Sequence, residues 1–326
     1  MLTSFAPGRV NLIGEHTDHT GGLCLPMTID LGTTVEGEVG GDLVLLRSAH
    51  DDRPASVPLD VEDPSSVEPA WARYVAAVVA EVRPGVGFTG DVRTTLPVGA
   101  GLSSSASLTL SVAIALGARA SDAEELAALA QRAEQRASGV PCGILDPLAC
   151  AAGLAGHAML LDCSTGSCTP VVVPDDIDVV IVDSGERRAL ADGRYAQRRA
   201  EAIAAVGGAT DDPVLRRRAR HVRTENERVL AAVEALRNDD LPTLGAILLE
   251  GHRSLADDFE VTTPALDALV ARLAAVPGVH GARLTGAGFG GCVVAVAEPG
   301  ALVEGWHVRP VDGVSARYGR PGEQGA

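Results

Sequence analysis

Residues 97–107 read Pro-Val-Gly-Ala-Gly-Leu-Ser-Ser-Ser-Ala-Ser. The stretch before them, Val86–Leu96, reads as a strand. The stretch after them, Ser104–Arg119, is apolar almost all round (Leu108, Leu110, Val112, Ile114, Leu116), as a buried helix is. Gly99 and Gly101 remove side chains, so backbone can approach an anion closely. The serines fall where the helix starts, and there unpaired N–H groups and the positive end of the helix dipole face a ligand. A triphosphate fits such a cradle, formed by Gly99, Ala100, Gly101, Leu102, Ser103, Ser104 and Ser105, and a serine hydroxyl can also ligate Mg²⁺. A plain serine N-cap after a turn is the simpler alternative, but three successive serines exceed what a cap needs. GxxxxGK[ST] is absent, so the loop is not a Walker A motif.

Working outward, Val35–Val39 and Leu43–Arg47 read as a hairpin around Gly40-Gly41-Asp42. Ser121–Glu124 reads as a capping box opening a helix that ends near Gly139 and Pro141. Strands are expected at His157–Asp162, Thr169–Val173 and Asp178–Asp183. Helices are expected over Arg194–Val206, Arg218–Arg237 and Leu241–Leu255, and from a Thr263-Pro264 start to Val276. Strands return at Gly281–Thr285 and Cys292–Glu298, and the polar tail Tyr318–Ala326 is expected to fray. Runs of strands and of helices without βαβ alternation argue an α+β fold. A soft boundary near 155–178 divides the chain into lobes 1–165 and 166–326.

The 326 residues are 46% hydrophobic and carry a net charge of −16, which leaves no positive footprint for nucleic acid. The Arg216–Arg220 cluster reads as a solvated loop or helix start. No apolar run reaches 18 residues and no signal-peptide pattern opens the chain, so a cytoplasmic protein without a membrane partner is expected. Six cysteines lack zinc-site spacing and read as reduced thiols; Cys163 and Cys168 could pair only in an oxidising compartment. A monomer is the default expectation.

Residues 7–26 pack Arg9, Asn11, Glu15, His16 and Asp18 between apolar flanks. Charges so close to a core need partners or a task. Glu15 and Asp18 can accept hydrogen bonds from a hydroxyl-rich ligand, and the Arg9 fork can meet a phosphoryl group. His16, Asp18 and His19 as metal ligands, or solvated charges on a turn, are the competing readings. Glu134 sits at the edge of an Ala130/Ala133/Ala137 helix face and can reach inward. Asp146 precedes Pro147, which biases it away from the α region and towards an N-cap; near a substrate hydroxyl it could act as a base. Thr285–Cys292 contains GxGxxG by count, but an apolar strand follows rather than a helix, so a dinucleotide site is not expected. That loop either passes close to the phosphate loop or substrate, or is a tight hairpin.

Taken together, GRVNLIGEHTDHTGG, PVGAGLSSSASL and LTGAGFGGCVVAV, in this order, resemble the three motifs of the GHMP kinase superfamily, and specifically of galactokinases. AEQRASGVPCGILD, RRALADGRYAQRRAE, RARHVRTENERV and HRSLADDFEVTTPALDALV also fit, so the likeness runs from about residue 5 to 298. The resemblance implies a two-lobed fold of mixed sheets packed with helices, with the active site in the cleft between lobes. It implies ATP and Mg²⁺, with a sugar phosphorylated at its anomeric hydroxyl. Asp146 would be the base and Arg9 would stabilise the transferred phosphoryl. Glu15, His16, Thr17, Asp18, Gly143 and Tyr195 would line the sugar pocket; Ser105 and Glu134 would hold Mg²⁺; Ser48 would lie near the nucleotide. The chain departs from galactokinases at His19-Thr20, where they usually have Tyr-Asn, and at Pro147, where they usually have Gln. These departures keep two alternatives in view: a kinase of a related sugar (N-acetylgalactosamine or a deoxy sugar), and a non-catalytic galactose/ATP sensor.

Overall fold

The computed structural model describes residues 1–97, 99–140, 142–186, 193–208 and 211–319. The first half runs β1 (Leu2–Asn11), β2 (Leu23–Cys24), β3 (Pro26–Val39), β4 (Leu43–Ser48), β5 (Asp51–Pro58), α1 (Ala72–Val82), β6 (Phe88–Thr94), α2 (Ser104–Ala115), α3 (Ala123–Ser138) and α4 (Leu145–Ala152). The second half runs β7 (His157–Asp162), β8 (Ser167–Val172), β9 (Asp178–Asp183), α5 (Arg194–Val206), α6 (Pro213–Arg237), α7 (Leu241–Ser254), α8 (Pro264–Ala274), β10 (Val279–Thr285), β11 (Cys292–Ala297), β12 (Trp306–Val308) and β13 (Ser315–Tyr318).

The architecture is α+β with mixed sheets, as expected. Six strands form one sheet in the order β13-β1-β3-β6-β4-β5, four form a second in the order β10-β11-β9-β12, and β2-β7-β8 form a third. Helix α2 packs against β1 and β3 and is ringed by α1, α3 and α4. That enclosure explains why its sequence is apolar all round. Its polar residues are satisfied inside: Ser107 Oγ donates to Ala6 O at 2.7 Å and accepts the Thr33 N–H at 2.9 Å. β11 is buried along its whole length because the four-stranded sheet is covered on both faces. Val294 and Val296 face one apolar cluster with α6 and α7, and Val293 and Ala295 face another with α8.

Several expectations are corrected. The hairpin around Gly40-Gly41-Asp42 does not form: β6 lies between β3 and β4, antiparallel to the first and parallel to the second. Gly40 and Gly41 instead exchange backbone hydrogen bonds with Gly87, carrying the chain across the end of β6. Ala72–Val82, where the sequence reading places no element, is helix. The cap of α3 is Asp122 rather than Ser121: Asp122 accepts the Glu125 N–H, and Glu125 reaches back to the Ser121 N–H. Tyr318 is not frayed but pairs with Leu2 at the sheet edge; the rest of the expected frayed tail beyond 319 lies outside the described residues. The expected lobe division at 165/166 falls in the turn joining β7 and β8. Arg218 of the basic cluster is buried, held by Glu201, Glu260 and the Asp258 carbonyl.

Candidate active site

The 97–107 loop carries the chain into α2 through three left-handed residues, Gly99, Gly101 and Ser103 (φ 79°, 84° and 60°). Ser103 stands at the N-cap position, yet its side chain does not cap the helix. Its hydroxyl donates instead to Asp146 Oδ2 at 2.7 Å. The simple capping alternative therefore fails, and the first N–H groups of α2 lack a side-chain cap from Ser103. Ala100 and Leu102 anchor the loop in the core, while Gly99, Gly101, Ser104 and Ser105 retain exposure.

Arg9, on β1, lies across the mouth of this loop. Its Nε and Nη2 donate to Asp146 Oδ1 at 2.9 and 2.5 Å, and its Nη1 donates to the Gly101 carbonyl at 2.6 Å. Asp146 thus takes Arg9 on one oxygen and Ser103 on the other. Its side chain keeps 36% exposure while that of Arg9 keeps 6%, so the carboxylate is the open face of the group. Asp146 is not an N-cap: it sits in the first turn of α4, whose N-cap residue is Ile144. Pro147 is tolerated there because N–H groups of a first turn have no helical partner to lose. The contacts to Arg9 and Ser103 hold Asp146 in the helical conformation that Pro147 alone would disfavour.

Glu134, on α3, reaches inward as expected. Ser105 Oγ donates to its Oε2 at 2.5 Å, and its buried Oε1 lacks a protein partner. Burial pushes its carboxyl up to about 7, with Asp146 adding to the rise and Ser105 and Arg9 opposing it. A hydroxyl beside a carboxylate with one spare oxygen is a hard-oxygen pair, and this suits Mg²⁺, which takes few protein ligands and completes its shell with phosphate and water. Among the described residues no group of three or more His, Cys, Asp and Glu could hold a metal, so the His16/Asp18/His19 metal reading has no support.

The remaining expected residues gather around the turn after β1. His16 adopts a left-handed backbone (φ 63°), unusual for a histidine, and its ring lies 4.6 Å from that of Phe259. Burial, with His19 and His221 nearby, pushes its imidazole down to about 3, so it is neutral; its buried Nε2 lacks a protein partner. Thr17 Oγ1 donates to the Gly14 and Leu23 carbonyls and so shapes the turn. Asp18 meets His19 on one side and Gly143 on the other: a Cβ on Gly143 would stand 2.0 Å from Asp18 Oδ2. Burial alone would raise the Asp18 carboxyl, but the adjacent His19 outweighs it and holds it below the ordinary value. Tyr195, at the start of α5, places its hydroxyl 3.4 Å from His19 Nε2. Ser48 has a local role at the β4–β5 turn, where it accepts the His50 N–H.

Glu15 is placed differently from a simple ligand group. Its Oε2 accepts from Arg283 at 2.6 Å, and Arg283 also donates to Glu225 at 2.6 Å. Glu225 in turn accepts from Arg228 and from the Gly14 N–H. Burial pushes the Glu15 carboxyl up to about 7 against the pull of Arg283, whereas Arg283, His221 and Arg228 overcome burial at Glu225 and hold it at about 2. Arg283, Glu225 and Arg228 are residues that sequence reading missed. Arg283 carries a visible signal, being one charge within a buried strand; Glu225 and Arg228 lie in the RARHVRTENERV stretch that fits galactokinases, but nothing local to them marks their partners. The Thr285–Cys292 loop does pass close to the phosphate loop: a Cβ on Gly286 would stand 3.5 Å from Gly101 O. Within the 187–201 motif, residues 187–192 lie outside the described residues.

A glycine-serine loop at a buried helix, an arginine-braced aspartate and a polar turn facing both define a small-molecule kinase site of the GHMP class. Family models for the GHMP kinase N-terminal and C-terminal domains match residues 72–154 and 232–305, and a model of the galactokinase galactose-binding signature matches residues 2–38. The chain is 40% identical to the Homo sapiens galactokinase, over 92% of this chain and 84% of that one, and 38% identical to the Haemophilus influenzae (strain PittEE) galactokinase, over 91% and 85%. It superposes on the Lactococcus lactis galactokinase complexed with galactose with a TM-score of 0.88 and 31% identity, covering 96% of this chain and 95% of that one. The chain belongs to the galactokinase family.

Proposed function

We propose that the chain transfers the γ-phosphoryl group of ATP to the anomeric hydroxyl of galactose, giving galactose 1-phosphate. The similarity to galactokinases supports the substrates. The observation that carries the mechanism is the Arg9–Asp146–Ser103 group at the mouth of the phosphate loop.

Asp146 Oδ1 accepts two N–H groups of Arg9, whereas Oδ2 accepts only the Ser103 hydroxyl, and a carboxylate oxygen offers two lone pairs, so Oδ2 keeps capacity for a sugar hydroxyl. Asp146 accepts the proton from the anomeric O–H as that oxygen attacks. Arg9 fixes the carboxylate from behind and offers its cationic fork to the phosphoryl group in transit. The 99–105 loop and the start of α2 receive the ATP phosphates. Glu15, His16, Asp18, Gly143 and Tyr195 orient the sugar, and Thr17 shapes the turn that carries the first three. Mg²⁺ would be held by Ser105 and Glu134 and would neutralise phosphate charge. Phosphoryl transfer asks mainly for positioning and charge neutralisation, and these residues supply both. Ser48 remains an expectation near the nucleotide. Cys24, Cys142, Cys150, Cys163 and Cys168 are free thiols, in keeping with the reducing cytoplasm.

Asp146→Ala and Arg9→Ala tested in an ADP-release assay with galactose should still fold and lose activity by roughly 10²–10⁴-fold. Near-normal turnover in either variant overturns the role assignment. A panel of sugars in the same assay tests the substrate, and preference for N-acetylgalactosamine or a deoxy sugar over galactose overturns that part.

A further inference from the structure

His19 stands where two sugar-facing groups meet. Its Nδ1 lies 3.1 Å from Asp18 Oδ1, a close approach without hydrogen-bond alignment that leaves Nδ1 without another partner, and its Nε2 lies 3.4 Å from the Tyr195 hydroxyl. The His19 side chain is 2% exposed and that of Asp18 9%, so water does not compete freely for either contact. The other side of Asp18 is closed by the Gly143 backbone, which Gln131 and Gln135 hold in place by donating to the neighbouring Cys142 carbonyl, each at 3.1 Å. The carboxylate is therefore wedged between a backbone that leaves no room for a side chain and a ring that touches it. His19 and Tyr195 meet nearly edge to face, with ring centroids 5.6 Å apart and planes at 85°.

We propose that His19 is a positioning residue of the sugar pocket, one imidazole that holds Asp18 through Nδ1 and Tyr195 through Nε2 and so sets affinity for the sugar. A carboxylate only accepts, so in this arrangement a proton on Nδ1 faces Asp18 and Nε2 is left to accept from the Tyr195 O–H. Burial pushes the Tyr195 phenol well up, so it stays a donor. Its lone pairs, like the free lone pairs of Asp18, then face sugar hydroxyls as acceptors. The ring thus couples a turn after β1 to the start of α5, two elements 176 residues apart. The inference rests on the galactose reading given above.

The test is a double-mutant cycle on KM for galactose in the full-length enzyme, with ATP and Mg²⁺ saturating. His19→Phe should raise KM for galactose about tenfold, the scale of one hydrogen bond to a charged group, with kcat changed less and KM for ATP within about twofold. Tyr195→Phe should raise KM in the wild-type background and lose most of that effect in the His19→Phe background. His19→Gln keeps a polar atom near the Nε2 position and should restore the Tyr195→Phe effect, whereas His19→Asn keeps one near the Nδ1 position and should not. Independent, multiplicative effects of His19 and Tyr195 overturn the proposal, as does an equal change in KM for ATP. If His19→Phe does not fold, the Gln and Asn variants carry the same comparison. Failure of the galactose reading looks different: the wild-type enzyme itself then releases no ADP with galactose, and the same ratios measured with the sugar it does accept decide the role of His19.

Discussion

Replacing Arg283 with methionine removes the charge that two buried carboxylates share. Arg283 is fully buried, and one Nη2 donates at 2.6 Å to both Glu15 and Glu225, whose side chains are 2% and 0% exposed. Methionine fills much of the volume but leaves Glu15 without a paired side-chain cation and Glu225 with Arg228 as its paired cation. Breaking a buried ion pair by removing one partner costs about 3–5 kcal/mol, because the surviving charge is left uncompensated. The expected loss in urea unfolding at pH 8 is of that size.

The pH dependence gives the sharper test. Glu15 already sits at about 7 because burial disfavours its charge, and Arg283 is the group that most opposes that rise. Without Arg283 its folded-state value moves further above the unfolded one. A carboxyl raised on folding binds more protons in the native state, so stability falls as pH rises through the window between the two values. The deficit of Arg283→Met relative to wild type should therefore grow from pH 6 to pH 8, at up to about 1.4 kcal/mol per pH unit for each carboxyl involved. A deficit below about 1 kcal/mol at pH 8, or one that is flat or shrinks with rising pH, refutes the idea that Arg283 neutralises this pair.

Two further outcomes follow from the site geometry. Gly143→Ala places a Cβ 2.0 Å from Asp18 Oδ2, so the carboxylate must move by more than ~1 Å; steady-state kinetics should show KM for galactose raised at least about tenfold with KM for ATP unchanged, and an unaltered KM for galactose refutes the contact. Glu134→Gln keeps an acceptor for Ser105 but removes the charge, so an Mg²⁺ titration of ADP release should need several-fold more metal for half-maximal rate, and an unchanged midpoint argues against Glu134 as a ligand.

The fold was legible where the signal is local and hidden where pairing is remote. The strand–loop–helix at 88–115 and the Thr263-Pro264 helix start are written in neighbouring residues, and the structure has both, with Thr263 accepting the Leu266 N–H. The Gly40–Asp42 turn looked like a hairpin because sequence order favours adjacent strands, but β6, more than forty residues on, takes the place between them. Ala72–Val82 was obscured by its valines, which favour strands in isolation. Their spacing at 75, 78, 79 and 82 is helical, and packing against α2 and α3 selects that form. β13 is exposed along its length, so it has no apolar pattern to read; backbone pairing with β1 alone defines it.

The site was legible as a collection of charges and not as a division of labour. Arg9, Glu15, Asp18, Glu134 and Asp146 all stand out because ionisable groups beside apolar runs need a reason to be there. Sequence alone does not tell which reason applies, since the partner that settles it lies far along the chain. Arg283 is 268 residues from Glu15 and Glu225 is 58 from Arg283, and together they make Glu15 a neutralised, buried member of a network. Arg9 is 137 residues from Asp146 and Ser103 is 43, and they leave Asp146 paired but open at one face. The two carboxylates begin with the same chemistry and end at 2% and 36% side-chain exposure. That difference separates the carboxylate able to meet an incoming hydroxyl from one that chiefly holds two segments together. It also predicts how their loss will be felt first: at Asp146 in turnover, and at the partners of Glu15 in stability.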